Sequence, residues 1–168
     1  MTIEYELTKD DYIGFNMYHI ENSEKIKKTI FFQRYVMSLI LLLAPLIIVL
    51  TTNKTFGQWY FYFIMVWVLW IVFYEKNFKR SIKRKLIKMA SKGGANGIIG
   101  HHKLTLTEDK IIEHKTEDLS YDKSIINKVG ETDSHIFIYI SDVNAYVVPK
   151  SAFENKEEEE KFKKLLDI

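Results

Sequence analysis

A chain of 168 residues with a net charge of +2 and no cysteine is about one domain's worth of sequence. It excludes disulfide frameworks, thiolate metal sites and cysteine nucleophiles, and its charge is too small to imply a nucleic-acid partner. The apolar residues are segregated: residues 31–74 are densely apolar and the remainder is rich in Lys, Glu and Asp, the pattern of a chain that meets two solvents.

The first thirty residues carry Glu4, Glu6, Asp10, Asp11, Glu21 and Glu24 with no apolar run, so no cleavable leader is expected. Residues 1–30 read as a short strand, Thr2 to Leu7, with Ile3, Tyr5 and Leu7 on one face, followed by an amphipathic helix. Thr8 and Asp11 have capping-box spacing, and Tyr12, Phe15 and His19 share a face of that helix.

Two apolar segments follow, 31–50 and 56–74. Each is close to the roughly 20 residues a helix needs to cross a hydrocarbon core of about 30 Å. Lipid offers no partners to free backbone groups, so helices are required. Arg34, near the start of the first segment, is expected to snorkel to the headgroups, and Pro45 to kink that helix. Trp59, Tyr60 and Tyr62 at one end of the second segment, and Trp70, Phe73 and Tyr74 at the other, suit the two interfaces. Trp67 is expected against the first helix or lipid. Lys25, Lys27 and Lys28 precede the hairpin, with Arg34 just inside it, a dense basic run follows it, and the connecting loop, Thr51 to Thr55, holds only Lys54. This asymmetry predicts both termini in the cytoplasm.

Residues 75–92 read as a basic juxtamembrane helix with Phe78, Ile82, Leu86 and Met89 on an apolar face. Gly93 and Gly94 end it. Lys79, Arg80, Lys83, Arg84, Lys85 and Lys88 are the membrane-surface residues predicted here, either as a reader of anionic lipid or as a topology signal.

Residues 93–168 turn to period two. Strands are expected at His102 to Thr107, Ile111 to Lys115, Leu119 to Asp122, Ile125 to Thr132, His135 to Ser141 and Ala145 to Pro149, separated by turns that include Thr116-Glu117-Asp118. Ser151 and Glu154 have capping-box spacing and predict a terminal helix through Leu166. Along it, Glu157–Lys161, Glu159–Lys163 and Glu160–Lys164 form i,i+4 pairs on a solvated face. The expected fold is an α+β membrane protein: a transmembrane hairpin and a cytoplasmic antiparallel β domain closed by a C-terminal helix. The order of elements is that of a pleckstrin-homology-like or GRAM-like half-barrel.

The chain resembles the YcxB-like family of bacterial membrane proteins. The resemblance rests on Leu7-Thr8, Asp11-Tyr12, Phe15 and Tyr18-His19; on the hairpin with its basic exit; on Gly97 and Gly100 ahead of Leu104 to Thr107; and on Glu131-Thr132, the HIFIYI strand and Val148 to Phe153. It implies a membrane anchor with a cytoplasmic β domain, and no known reaction.

Little in the sequence suggests catalysis. GGANGIIG lacks the Lys-Ser/Thr of a phosphate loop, and no carboxylate pair has acid–base spacing. His101 and His102 point to opposite faces of a strand; His102, His114 and His135 are the three that strand pairing could gather, and neither a metal site nor a cofactor is expected from them. The expected function is a non-catalytic binding module at the inner leaflet of a bacterial membrane, engaging a lipid or protein partner through its β domain. An immunity protein against a membrane-active or secreted toxin is the alternative.

Overall fold

The computed structural model describes residues 1–52, 56–95, 97–115 and 118–167. Loop residues 53–55 and turn residues 116–117 therefore lie outside the described residues. The chain divides into two compact units, one of Met1–Asn16 with Ile87–Ile168, the other of Met17–Leu86.

The first unit is built on alternation. Strand β1 (Thr2–Leu7) buries Ile3, Tyr5 and Leu7 and exposes the residues between, as period two requires. It pairs antiparallel with β2 (Gly100–Leu106), Ile3 opposite Leu104 and Leu7 opposite Gly100. The N-terminal ammonium donates to Leu106 O at 2.7 Å. β3 (Lys110–His114) and β4 (Leu119–Asp122) complete a four-stranded sheet in the order β1-β2-β3-β4. β5 (Lys128–Glu131), β6 (His135–Tyr139) and β7 (Ala145–Pro149) form a second, three-stranded antiparallel sheet. The strands thus make two sheets. The division falls where the sequence reads one strand from Ile125 to Thr132: Asp122 instead accepts from Ser124 N and starts a 3-10 turn over Lys123–Ile125, leaving only Lys128–Glu131 to pair.

β6 is the centre of the core. Ile136, Phe137, Ile138 and Tyr139 are all buried, and Phe15 packs its ring 5.5 Å from Phe137. Phe15 belongs to helix α1 (Lys9–Asn22), whose start is capped reciprocally: Asp11 N donates to Thr8 Oγ1 and Thr8 N to Asp11 Oδ2. The terminal helix α5 (Lys156–Leu165) starts later than Ser151 predicts. Lys150–Ala152 is a 3-10 turn and Phe153 is extended, a conformation that buries its ring 5.2 Å from that of Phe162. A helix begun at Ser151 would have turned Phe153 elsewhere. Asn155 is the cap, accepting from Glu158 N.

The second unit is helical. Helix α2 (Glu24–Phe31) leads into a π turn at Phe32–Val36, a 3-10 turn at Met37–Leu39 and helix α3 (Ile40–Thr52). Within the π turn Met37 N donates to Phe32 O, a wider step that admits one extra residue. The departure from α geometry thus lies ahead of Pro45, through which α3 continues. Helix α4 runs unbroken from Phe56 to Ser91, so the second apolar segment and the basic helix are one rod. Its C-terminus closes at Gly93, whose φ of 79° is costly for any residue with a Cβ, and Gly94 N returns to Met89 O. Two stretches, Glu24–Thr51 and Tyr60–Ser91, are long and apolar enough to cross a membrane.

Candidate functional site

Within the hairpin a row of polar side chains joins the two helices. Ser38 is buried, and its hydroxyl donates to Arg34 O at 2.7 Å while accepting from Trp67 Nε1 at 3.0 Å. Trp67 therefore faces the first helix. Arg34 is held between the two helices: its Nε donates to Ile71 O at 2.8 Å and its guanidinium pairs with Glu75 at 3.0 Å. A charged fork this close to an apolar span is held best by an acidic partner and a carbonyl. Tyr74 donates to Gln33, and Lys79 bridges Glu75 and Glu21 at 3.2 Å each.

That last pair divides the predicted membrane-surface residues. Lys79 is half-buried and committed to two carboxylates, whereas Arg80, Lys83, Arg84, Lys85 and Lys88 are exposed. On the apolar side of the same helix, Leu86 is buried as the spacing predicts, but Met89 is exposed and Ala90 is buried in its place.

Three polar clusters organise the β unit. In the first, Glu113 is only 7% exposed and sits 3.6 Å from His102 Nδ1 and 2.9 Å from Lys115 Nζ. His102 also stacks on Tyr5 and bonds Ile98 O. The His102 ring holds the Glu113 carboxyl below the usual range, against the opposing effect of burial, with Lys115 adding to it. Reciprocally, Glu113 raises His102. Tyr146 is pushed up to about 12 by burial and then by the Glu113 charge, so it stays a neutral phenol.

In the second, Ser134 Oγ lies 2.8 Å from His135 Nδ1, and Nε2 of that ring is 2.7 Å from Asp11 Oδ1. With the proton assigned to Nε2 by its carboxylate partner, the ring accepts from Ser134. Serine, imidazole and carboxylate in this order form a nucleophile triad elsewhere, where it works together with donors set around a developing oxyanion. Here the bonds tie the first turn of α1 to the start of β6. Burial resists ionisation of Asp11, but the Thr8 hydroxyl and amide and the His135 ring together lower its pKa.

In the third, Lys150 and Lys163 each contact both Glu131 and Glu159, at 2.5 to 3.3 Å. Glu159–Lys163 is the one of the three predicted i,i+4 pairs that closes among the described residues; Lys163 also reaches Glu160 at i,i+3. Part of the charge run on α5 is thus an internal network joining it to β5, not a solvated face. Sequence reading missed Glu131 and Lys150 as partners because their contacts to α5 join residues on different elements. The three histidines that strand pairing could have gathered go separate ways: His102 to Glu113, His114 to Thr105 and Asp118, His135 to Asp11.

These clusters predict a pH optimum. Glu113 and Asp11 have depressed pKa values, so their stabilisation is present above their ordinary values of about 4 and is lost as pH falls through the lower folded values. His102 has a raised pKa, so its contribution is full below about 6.5 and is lost as pH rises through the folded value. Denaturation midpoints of the whole chain in mild detergent are expected to peak at about pH 5–6. His102→Gln is expected to flatten the alkaline limb and leave an acid limb from Asp11. An alkaline limb unchanged in that variant would contradict the assignment.

No curated protein matches the chain, and no solved structure matches it. Residues 106–166 match the model of the family described as YcxB-like protein, a stretch that begins at the last residue of β2 and runs through α5. The match covers β3 to β7 and the closing helix.

Proposed function

We propose that this protein is a non-catalytic, membrane-anchored binding module of a bacterial cytoplasmic membrane. The α2–α3 and α4 helices cross the bilayer as a hairpin, and the β unit stands on the cytoplasmic side, where it engages a lipid or protein partner. The observation that carries this reading is a pairing: β1 and β2 are neighbours in one sheet, yet both apolar helices lie between them in sequence. Strands that pair lie on the same side, so the chain crosses an even number of times, and two long apolar helices supply two crossings. The exposed apolar side chains along both helices, such as Ile47, Leu50, Phe61 and Val72, suit lipid rather than water. The Lys and Arg distribution supports the cytoplasmic assignment. A four-stranded sheet, a three-stranded sheet and a closing helix, in that order, support a pleckstrin-homology-like reading of the β unit; such folds serve many binding roles, and the fold alone does not choose among them.

The cysteine-free chain makes the topology directly testable. In intact cells an impermeant thiol reagent is expected to label Thr52→Cys and to spare Ser141→Cys until the membrane is opened. Labelling of Ser141→Cys alone would reverse the orientation, and equal labelling of both would remove the hairpin.

A further inference from the structure

Helix α4 has two working faces in its membrane-proximal half. One face, with Trp67, Ile71, Tyr74 and Glu75, makes the polar contacts to Gln33, Arg34 and Ser38. Beside it lies an open groove of about 600 Å3, lined chiefly by Val66, Leu69, Trp70, Phe73, Asn77 and Ser81. The groove changes character along its length. Its first four of these residues are apolar and exposed, between 43% and 50%; its last two carry an amide and a hydroxyl. From Val66 to Asn77 the helix rises roughly 17 Å, about the depth of one leaflet of a 30 Å hydrocarbon core.

The charge beyond the groove is aligned with it. At about 100° per residue, Arg84 projects roughly 20° from Asn77 around the helix axis and Arg80 roughly 60°. Lys76 and Lys83 project roughly 100° and 120° away. All four are exposed, and among the described residues neither Arg80 nor Arg84 takes part in an ion pair, whereas Lys79 is held by Glu21 and Glu75. An apolar channel one leaflet deep, ending at an amide and a hydroxyl beside Phe78, with two guanidinium groups beyond it on the same side of the helix, complements one class of molecule. Guanidinium forks match phosphate oxygens in a way that ammonium groups do not.

We infer that this groove binds a single anionic phospholipid of the inner leaflet, its acyl chain along Val66, Leu69, Trp70 and Phe73 and its phosphate against Asn77, Ser81, Arg80 and Arg84. The inference rests on the membrane reading and names the lipid partner that reading leaves open. It divides the four basic residues by position: Arg80 and Arg84 hold the lipid, and Lys76 and Lys83 serve orientation only; Lys88 projects roughly 20° from Asn77 but lies roughly 16 Å beyond it along the axis.

Trp70 lies in the groove and reports its occupant. The whole chain is placed in phosphatidylcholine bilayers with rising fractions of chain-brominated phosphatidylglycerol, and in a second series with brominated phosphatidylcholine. The signal from Trp70 is taken as the difference from Trp70→Phe. Half-maximal quenching is expected at a roughly tenfold lower fraction of the anionic lipid, the factor that about 1.4 kcal/mol of preference gives. Arg80→Gln with Arg84→Gln is expected to erase that preference; Lys76→Gln with Lys83→Gln, which removes the same charge, is expected to keep it. Equal quenching by the two brominated lipids overturns the inference, as does an equal loss in both double variants. Protection of Trp70 from both lipids while the other tryptophans are quenched also overturns it, since a protein surface, such as a second copy, would then cover the groove. Absence of quenching at every tryptophan overturns the membrane reading itself.

Discussion

Deleting Met1–Leu7 is expected to unfold the β unit rather than trim it. β1 supplies Ile3, Tyr5 and Leu7 to the core, and burying each side chain of this size contributes about 1.5–3 kcal/mol. Their sum, about 5–9 kcal/mol, falls within the total stability of an ordinary domain, about 5–15 kcal/mol. The deletion also leaves β2 as an edge, without the reciprocal bonds between Met1 and Leu106. The measurement is amide exchange of the whole chain in mild detergent. Protection is expected to collapse across Leu104, Leu106 and Ile111 and to fall across His135–Val148. Unchanged exchange in β2 and β3 would mean that β1 contributes little to the stability of the unit, pairing included.

Phe162→Ala is expected to cost about 3–5 kcal/mol, the usual range for truncating a buried aromatic. Phe162 has no exposed surface and meets Phe153 at 5.2 Å. It is the side chain through which α5 closes the unit, on a helix whose other faces are highly charged. The Glu131, Lys150, Glu159 and Lys163 network would remain in the variant, which makes it a direct comparison of apolar and ionic docking. A loss below about 1 kcal/mol in denaturant titrations would show that the four-charge network holds α5 in place, contrary to the small contribution expected of partly exposed pairs.

Local pattern made most of the β unit legible. Period two in HIFIYI and in Thr2–Leu7 placed β6 and β1, and the Thr8–Asp11 spacing placed the start of α1. Where sequence reading erred, a tertiary demand had overridden a local signal. Ser151 looked like a cap until the need to bury Phe153 held the chain extended, passing the role to Asn155. Ile125 to Thr132 looked like one strand, but the Asp122 bond to Ser124 turned its first part into a 3-10 step. Arg34 is the clearest case of what one sequence does not contain. Its partner Glu75 is 41 positions away, and only the folded hairpin brings them together. The groove on α4 was likewise invisible while the apolar and basic parts of that helix were read as separate segments.

The pairing of β1 with β2 also imposes an order of events on synthesis. Thr2 and Thr105 share a side-chain hydrogen bond across 103 positions. At about 5–20 residues per second, β1 leaves the ribosome roughly 5–20 s before its partner strand is complete. On the topology proposed here, both spans are made in that interval, and β1 waits unpaired in the cytoplasm until they are seated. If the second span failed to cross back, β2 would emerge on the opposite face of the bilayer and the sheet could never close. On that topology, a chain with the wrong number of crossings would leave the Ile3, Tyr5 and Leu7 face of β1 unpaired.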